Sequence, residues 1–462
     1  MADSSVTQLL ASFCARARFG DLPAAVEADT GRAVLDWIGS ALAGSLEPPA
    51  RMAQRVIATL GSASDATVFG AGRAAAANAA LANGLATHIL ELDDVHKGST
   101  LHAAAPVIPA ALAVAEREHR TGAEFLLAVA LGYEAALRIG EAVNPSHYRF
   151  WHPTGTAATF GAAVAAGSLL RLDEAAMRDA LGSAGTQAAG LWEFNADGAM
   201  SKALHPGKAA FNGVLAADLA RQGFTGASRI LEGARGFFRA TATDADPSRI
   251  SDGLGQRWKV SENCYKLHSC CGHTHSAIDM AQDFRASPAW PGADGLAAVE
   301  VRTYASGYEI VKESNPRTPY QAKFSLAYCV AVALLEGQVG LEQFSADRFG
   351  PEGVVEPRIR ALLPRIAIVV DPEVSARYPA EWGTRVRFTA RNGATTDLAA
   401  AFPRGNPENP VATAALEAKL RHLVSPRLGA EVAERAIATV HRLHDITDMA
   451  TAFAEFGGGA SL

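Results

Sequence analysis

Apolar residues recur every three or four positions through most of the first 240 residues, which is the spacing of helices with a buried face. Alanine and other small residues dominate these stretches, so neighbouring helices can pack closely. The predicted helices span residues 34–42, 75–90, 106–118, 123–143, 155–170, 174–185 and 209–221. The pattern therefore predicts an all-helical domain in which several helices are fully buried.

After about residue 268 the apolar positions alternate with polar ones, as in half-buried strands. Strands are predicted at 297–303 and 366–370, and a hairpin at 384–396 with Asn392-Gly393 as a type I′ turn. Helical spacing returns at 320–335, 414–423 and 430–444.

The simplest architecture is mainly α, with a large all-helical domain and a smaller α+β domain. The all-helical domain takes residues 1–268 and 403–462, and the α+β domain is an insertion of residues 269–402. This order lets the last helices rejoin the first domain.

Composition narrows the class of protein. The net charge of −6 over 462 residues leaves no basic excess for a nucleic-acid partner. Five unevenly spaced cysteines favour a reducing compartment, and the N-terminus lacks the features of a signal peptide. The uncharged stretch 153–170 is too weakly hydrophobic to span a membrane. We expect a soluble cytoplasmic protein without a membrane or nucleic-acid partner.

Three sites place a basic residue just before an alanine-rich helix: His102, His152 and the Lys202–Lys208 stretch. Helix N-termini carry partial positive charge and unpaired N–H groups, so an added cation strengthens anion binding there. Three such ends around one cavity predict a pocket for a small polycarboxylate.

The segment from Glu91 to His102 places the carboxylates of Asp93 and Asp94 beside imidazoles. Such pairs can hold one histidine tautomer or share a proton transfer, although a capped, solvated helix end would give the same pattern. A second segment brings Tyr148 and Arg149 close to His152. These residue types can bind a carboxylate and supply an acid or a base.

The last candidate segment runs from Cys264 to His275 and contains Lys266 and Cys271. Its cysteines and histidines are zinc ligands in kind, but their spacing fits no usual zinc motif. The other interpretation is an interdomain loop that delivers Lys266 and a thiol or imidazole to a cleft. Because the ligand spacing in this segment is poor, we expect no dependence on a metal. No nucleotide-binding motif or nucleophile elbow occurs.

These segments, in this order, resemble the MmgE/PrpD family. The resemblance is carried by Glu-Leu-Asp-Asp at 91–94, His-Pro-Thr-Gly-Thr at 152–156, Lys-Ala-Leu-His-Pro-Gly-Lys-Ala-Ala at 202–210, Lys-Leu-His-Ser-Cys-Cys at 266–271 with Thr274-His275, Gly-Phe-Thr-Gly at 223–226 and Ile-Leu-Glu-Gly at 230–233. It implies a helical domain with an α+β domain, a homodimer, an active site between the domains, and chemistry next to a carboxylate without a cofactor.

The resemblance also implies roles for individual residues. It places Glu91, Asp93, Asp94, His102, His152, Lys202 and Lys266 in the active site. Taken together with the residue types of the segments above, the catalytic candidates are His102, His152, Lys202, Lys266, Asp93 and Tyr148, and the substrate-binding candidates are Glu91, Asp94, Arg149, Lys208, Cys271 and His275. Dehydration of a 2-methylcitrate-like substrate ranks first, followed by epimerisation of the iminodisuccinate type and cis-aconitate decarboxylation. Three positions depart from the family pattern: Val95 replaces the usual Thr, Ala103 replaces Pro, and Cys271 replaces the His of the decarboxylases. The alternative from another class is a non-catalytic polycarboxylate-binding protein.

Overall fold

Two compact units divide the chain in the computed structural model, which describes residues 5–458 apart from the side chain of residue 197. The first unit holds the residues up to Cys264 and those from Ala412 onward, and the second holds Tyr265–Val411. The sequence analysis expected the domain boundaries at 268/269 and 402/403, and the structure has them at 264/265 and 411/412. The predicted fold class is confirmed: the first unit is mainly helical and the second is α+β.

The helices are numbered in chain order. Those of the first unit are α1 (Val6–Arg16), α2 (Ala24–Gly44), α3 (Pro48–Ile57), α4 (Ala76–His88), α5 (Ala104–Arg117), α6 (Gly122–Val143), α7 (Ala157–Leu169), α8 (Glu174–Gly185), α9 (Phe194–Asp197), α10 (Ser201–Arg221), α11 (Phe237–Thr241), α12 (Ser248–Ser251), and, after the second unit, α20 (Thr413–Leu428) and α21 (Ala430–His441). Those of the second unit are α13 (His275–Ala286), α14 (Gly292–Gly295), α15 (Ala305–Val311), α16 (Pro319–Lys323), α17 (Leu326–Glu336), α18 (Pro357–Leu362) and α19 (Pro372–Arg377).

Small residues let the helices of the first unit approach closely. A Cβ added to Gly161 of α7 would lie 2.5 Å from the Gly132 carbonyl oxygen of α6. One added to Gly213 of α10 would lie 2.5 Å from the Ala162 side chain of α7. Helix α7 is therefore enclosed by its neighbours, as its apolar, uncharged sequence predicts. A short hairpin, β1 (Ala66–Val68) with β2 (Gly72–Ala74), was not predicted in this unit.

Helix α10 begins at Ser201, eight residues before the predicted start at 209, so that prediction was wrong. Pro206 lies inside the helix and removes only the hydrogen bond that its N–H would give to the Lys202 carbonyl. Tight packing compensates for the lost bond: a Cβ on Gly207 would lie 2.5 Å from the Leu81 carbonyl oxygen of α4. Lys202 and His205 consequently lie on the first turns of a helix, not ahead of it.

The second unit is built around a four-stranded sheet with the order β6 (Ile366–Val370), β3 (Leu296–Thr303), β7 (Thr384–Ala390), β8 (Thr395–Ala400). Strands β3 and β6 are parallel, with Val299 opposite Ile366, and the other pairs are antiparallel. A short hairpin of β4 (Phe349–Gly350) and β5 (Gly353–Val354) stands apart from this sheet. Phe284 of α13 stacks on Phe388 of β7 at 4.1 Å between ring centroids, which places the core between helix and sheet.

Two local predictions in the second unit were wrong. Gly393 has a left-handed φ of 85° but Asn392 does not, so the hairpin turn is not type I′. The N–H of Gly393 instead donates to the Ala390 carbonyl, as in a four-residue turn that ends in a left-handed glycine. The single helix predicted at 320–335 is split into α16 and α17, because Ser325 caps the second helix by accepting from the Tyr328 N–H.

All five cysteines lie among the described residues, and each is buried and free of a disulfide. Within residues 5–458, no helix combines the length and hydrophobicity that crossing a membrane requires.

Candidate active site

The loop of residues 89–103, which connects α4 to α5, carries four candidate acids and bases of the first unit: Glu91, Asp93, Asp94 and His102. Glu91 and Thr100 have left-handed φ angles of 60° and 49°, which non-glycine residues adopt only when their surroundings hold them there. Val95 and Cys264 exchange two backbone hydrogen bonds of 2.9 Å, and these fix the middle of the loop. A loop held this firmly can direct its side chains accurately.

Asp93 joins two histidines in the interior of the unit. Its Oδ2 lies 2.7 Å from Nδ1 of His88 and 3.5 Å from Nδ1 of His102. Asp93 and His88 are buried, and the His102 side chain is 12% exposed. A carboxylate shared in this way orients both rings and stabilises a proton on either of them.

Asp94 anchors the loop. Its carboxylate accepts hydrogen bonds from the Tyr133 hydroxyl at 2.5 Å, the Asn263 amide at 2.8 Å and the Ala104 N–H at 3.1 Å. Burial raises the pKa of Asp94 to about 7, although the Tyr133 hydrogen bond acts in the opposite direction. These three protein donors make the Asp94 carboxylate an anchor of the loop, and its expected role in substrate binding stays a prediction.

The backbone of Asp94 also fixes the tautomer of His102. Nδ1 of His102 lies 2.5 Å from the Asp94 carbonyl oxygen, which can only accept, so Nδ1 carries the hydrogen. The Nε2 atom of His102 is then the atom that can exchange a proton with a ligand.

His152 lies in the same cluster, with its ring centroid 5.5 Å from that of His88 and 6.4 Å from that of His102. The rings of Trp192 and Phe194 are 4.9 and 6.1 Å away and help to bury it. Burial, reinforced by nearby basic groups that include His88 and Lys202, lowers the pKa of His152 well below its ordinary value. Burial is the main cause of this lowered pKa.

A second imidazole lies against His152. The Nδ1 atoms of His152 and His205 are 3.1 Å apart, so one ring donates and the other accepts. Burial, His88 and Lys202 lower the pKa of His205 to about 4. Two neutral rings therefore share one hydrogen, and its position decides whether Nε2 of His152 can accept a proton.

Lys202 and Glu91 form a buried ion pair between α10 and the loop. Lys202 also lies close enough to His152 and His205 to lower the pKa of both rings. The structure thus brings Lys202, Glu91, Asp93, His102 and His152 together, all of which the sequence analysis proposed.

The other proposed residues of the first unit lie at the margin of this cluster. Tyr148 contacts Trp192 at 4.9 Å between ring centroids. Lys208 is exposed on α10, yet near enough to His205 to help lower its pKa. Arg149 is exposed and its guanidinium lies over the Phe150 ring, so the structure does not bring it to the cluster.

The proposed residues of the second unit are buried within that unit. Lys266 lies close enough to His273 to reinforce the effect of burial, which lowers the pKa of His273 to about 4. The Nε2–H of His275 lies 3.3 Å from the Cys270 carbonyl, at the start of α13. The Cys271 N–H donates to the Lys323 carbonyl, and the Cys271 carbonyl accepts a hydrogen bond from the Thr274 hydroxyl.

Two groups in the described part of the chain have donor atoms close enough to hold a metal: His88, Asp93 and His102, and His96, Glu141 and Glu262. In the second group the Lys259 ammonium already donates to both carboxylates, each at 2.9 Å. In the first, the short hydrogen bonds of both histidines engage their Nδ1 atoms. We therefore interpret both groups as hydrogen-bonded clusters.

The fold and this cluster define a mainly helical protein of two units, with a buried set of imidazoles, carboxylates and one lysine. The chain matches the MmgE/PrpD N-terminal domain over residues 8–250 and the MmgE/PrpD C-terminal domain over residues 268–445. It belongs to the MmgE/PrpD family, as the sequence motifs indicated.

Three curated relatives show the range of similarity. The chain is 27% identical to the cis-aconitate decarboxylase-like protein oryM of Aspergillus oryzae, over 99% of this chain and 98% of the relative. It is 29% identical to the cis-aconitate decarboxylase of Aspergillus terreus over 74% of each chain, and 27% identical to that of Homo sapiens over 96% and 93%. Decarboxylases are lyases, so the family includes lyases.

Sequence reasoning missed His88, His205 and Trp192. His88 ends α4 only three residues before Glu91, and this nearness to the acidic motif was a usable signal. His205 follows Lys202 by three residues, a spacing that shares one helix face once α10 is known to begin at Ser201. No sequence signal connected Trp192 to His152.

We expect Trp192→Ala to raise the pKa of His152 towards its ordinary value, because removing the indole admits water to the imidazole. The ring would then be protonated at higher pH and would lose its capacity as a base there. Histidine ring resonances followed by NMR titration, with His152→Gln for assignment, measure the shift. Trp290→Ala, a partly buried tryptophan of the second unit, is the control. An unchanged titration of His152 in Trp192→Ala would contradict the assigned role of the indole.

Proposed function

We propose that this protein is a lyase that acts on a small polycarboxylate by transferring a proton at the carbon next to a carboxylate. The observation that carries the proposal is the buried cluster in which His152, held neutral, lies among His88, His102, His205 and Lys202. Family membership supports the same class of reaction.

The negative charge of the proposed substrate requires a cation in this cluster. Removing a proton next to a carboxylate builds negative charge on an enolate-like species, which a buried cation stabilises more strongly than water does. Lys202 supplies an ammonium with three donors, and its known contact is with Glu91. We propose that a substrate carboxylate binds to this ammonium beside Glu91 or in its place. Lys266 joins the proposal on the family resemblance.

His152 is the proposed base. The lowered pKa of His152 favours the neutral ring, which is the form that can accept a proton. It does so through Nε2 when its Nδ1 donates to His205. His205 is then the partner that selects the reactive tautomer.

His102 is the proposed acid. Its Nδ1–H is fixed by the Asp94 carbonyl, and Asp93 lies 3.5 Å from the same nitrogen. The carboxylate favours the imidazolium form, so Nε2 of His102 can deliver a proton to a departing group. His88 shares Asp93 and completes the orientation of that carboxylate.

Dehydration of a hydroxylated tricarboxylate such as 2-methylcitrate is the first candidate reaction. Elimination of water needs a base and a separate acid, and the cluster offers His152 and His102 in those two roles. Decarboxylation of cis-aconitate is the second candidate, because the curated relatives that match most of the chain carry that name.

Incubation with 2-methylcitrate, citrate, cis-aconitate and iminodisuccinate in D₂O tests the proposal. Mass spectrometry and NMR distinguish loss of water, loss of CO₂, and deuterium exchange with inversion. We expect elimination, at the same rate with and without a chelator. Inversion alone would identify an epimerase, and tight binding without turnover would identify a binding protein. Activity that a chelator abolishes and Zn²⁺ or Fe²⁺ restores would contradict the metal-free mechanism.

We expect His152→Gln to keep the fold and much of the substrate affinity but to lower kcat by roughly 10²–10⁴-fold, the usual contribution of a general acid or base. Thermal melting, substrate binding and kcat are measured on the same preparation. His444→Gln is the control, because this histidine bonds to Glu27 at 2.8 Å near the surface and, among the described residues, contacts none of the cluster. Near-normal kcat in a stable His152→Gln protein would make His102 the leading base.

We expect Lys202→Ala and Lys266→Ala each to lower kcat/KM by an amount equivalent to about 2–4 kcal/mol, as for desolvated charge-assisted contacts. Glu91→Gln combined with Lys202→Ala separates loss of substrate binding from the cost of an unpaired buried carboxylate. Lys312→Ala, which removes an exposed ammonium, is the control. A lysine variant with unchanged kcat/KM has no role in the reaction.

A further inference from the structure

Lys419 contributes a buried ammonium to the loop of residues 89–103. Its Nζ lies 2.6 Å from Oδ1 of Asp36 and 2.6 Å from the carbonyl oxygen of Leu92. Asp36 is on α2, Leu92 is in the loop, and Lys419 is on α20, which follows the second unit in the sequence. One side chain therefore connects three distant segments of the first unit.

Close packing of α20 on α2 brings Lys419 to this position. A Cβ added to Gly39 of α2 would lie 3.3 Å from Leu420 of α20, so the two helices almost touch at the residue next to Lys419. Both side chains of the Lys419–Asp36 pair are buried, at 6% and 0% exposure. A buried ammonium keeps its charge when a carboxylate and a carbonyl satisfy it, and both are present.

Leu92 lies between Glu91 and Asp93, the two carboxylates of the loop that contact Lys202 and His88. Before it, Glu91 adopts its left-handed φ and binds Lys202. After it, Asp93 binds His88. The Leu92 carbonyl belongs to the planar peptide unit that continues into Asp93, so its direction sets the plane from which Asp93 projects. Fixing Leu92 also restricts the backbone of Glu91, which joins it on the other side.

We propose that Lys419 is a positioning residue of the candidate active site, which holds the Leu92 carbonyl so that Glu91 and Asp93 reach their partners. The effect that we expect on turnover rests on the proposed function. The effect that we expect on the geometry of the loop does not.

Arg427 offers a matched comparison on the same helix. It bonds to the Ala43 carbonyl at 3.1 Å and to the Glu47 carboxylate at 2.6 Å, both near the end of α2. It thus repeats the pattern of one carbonyl and one carboxylate at a different place. Arg427→Met controls for the general loss of such a contact between these segments.

The experiment compares Lys419→Met, the double variant Asp36→Asn/Lys419→Met, and Arg427→Met with the unchanged protein. In Lys419→Met we expect kcat to fall roughly 10²-fold, as for a small misplacement of catalytic groups, with KM changed much less. The double variant also replaces the Asp36 carboxylate, whose charge Lys419 balances in the unchanged protein, so it should recover Tm but not kcat. If the single variant fails to fold, the double variant carries the test. Arg427→Met should keep kcat.

A second readout does not need turnover. The proton between His88 and Asp93 gives a downfield ¹H resonance, assigned by its loss in His88→Gln. We expect it to shift or broaden in Lys419→Met and in the double variant, and to persist in Arg427→Met. An unchanged resonance, or recovery of kcat in the double variant, would overturn the positioning role. Failure of every polycarboxylate to react would overturn the proposed function and leave this readout decisive for Lys419.

Discussion

The buried carboxylate of Asp94 is the contact on which the geometry of the histidine cluster depends. Three protein donors hold it, from α6, from the segment before Cys264 and from the first turn of α5. The backbone of the same residue fixes His102, and the next peptide pairs with Cys264. Removing this carboxylate would leave the donors unsatisfied in the interior and release the loop that carries Glu91 and Asp93.

Dense helical packing gives the cluster its electrostatic character. The alanine- and glycine-rich helices exclude water, and desolvation lowers the pKa of His152 and His205 while it raises that of Asp94. Imidazoles that stay neutral and a lysine paired with a carboxylate can lie together only because each charge has a partner. The same small residues thus serve both stability and the reactivity that we propose.

Much of the fold could be predicted from periodicity, since α8 and β6 have their predicted limits and α6 begins within one residue of its own. The errors share one cause. Local helix and turn propensities do not include packing contacts or caps, and the elements that were predicted wrongly depend on these. They are the start of α10, the split before α17 and the turn at Asn392. The helix was expected to begin at 209, after Pro206, but the close contact between Gly207 and α4 holds the proline inside the helix.

The sequence by itself determined the order of the motifs, the helical class of the first unit and the residue types that the chemistry needs, including His102, His152 and Lys202. Only the tertiary structure decided which of these residues meet. It added His88, His205, Trp192 and Lys419, and it placed Arg149 at the surface. The reason is physical: periodicity reports which face of an element is buried, whereas contacts between residues hundreds of positions apart depend on how the helices pack. Those contacts also determine how deeply each polar side chain is buried, and burial sets its pKa.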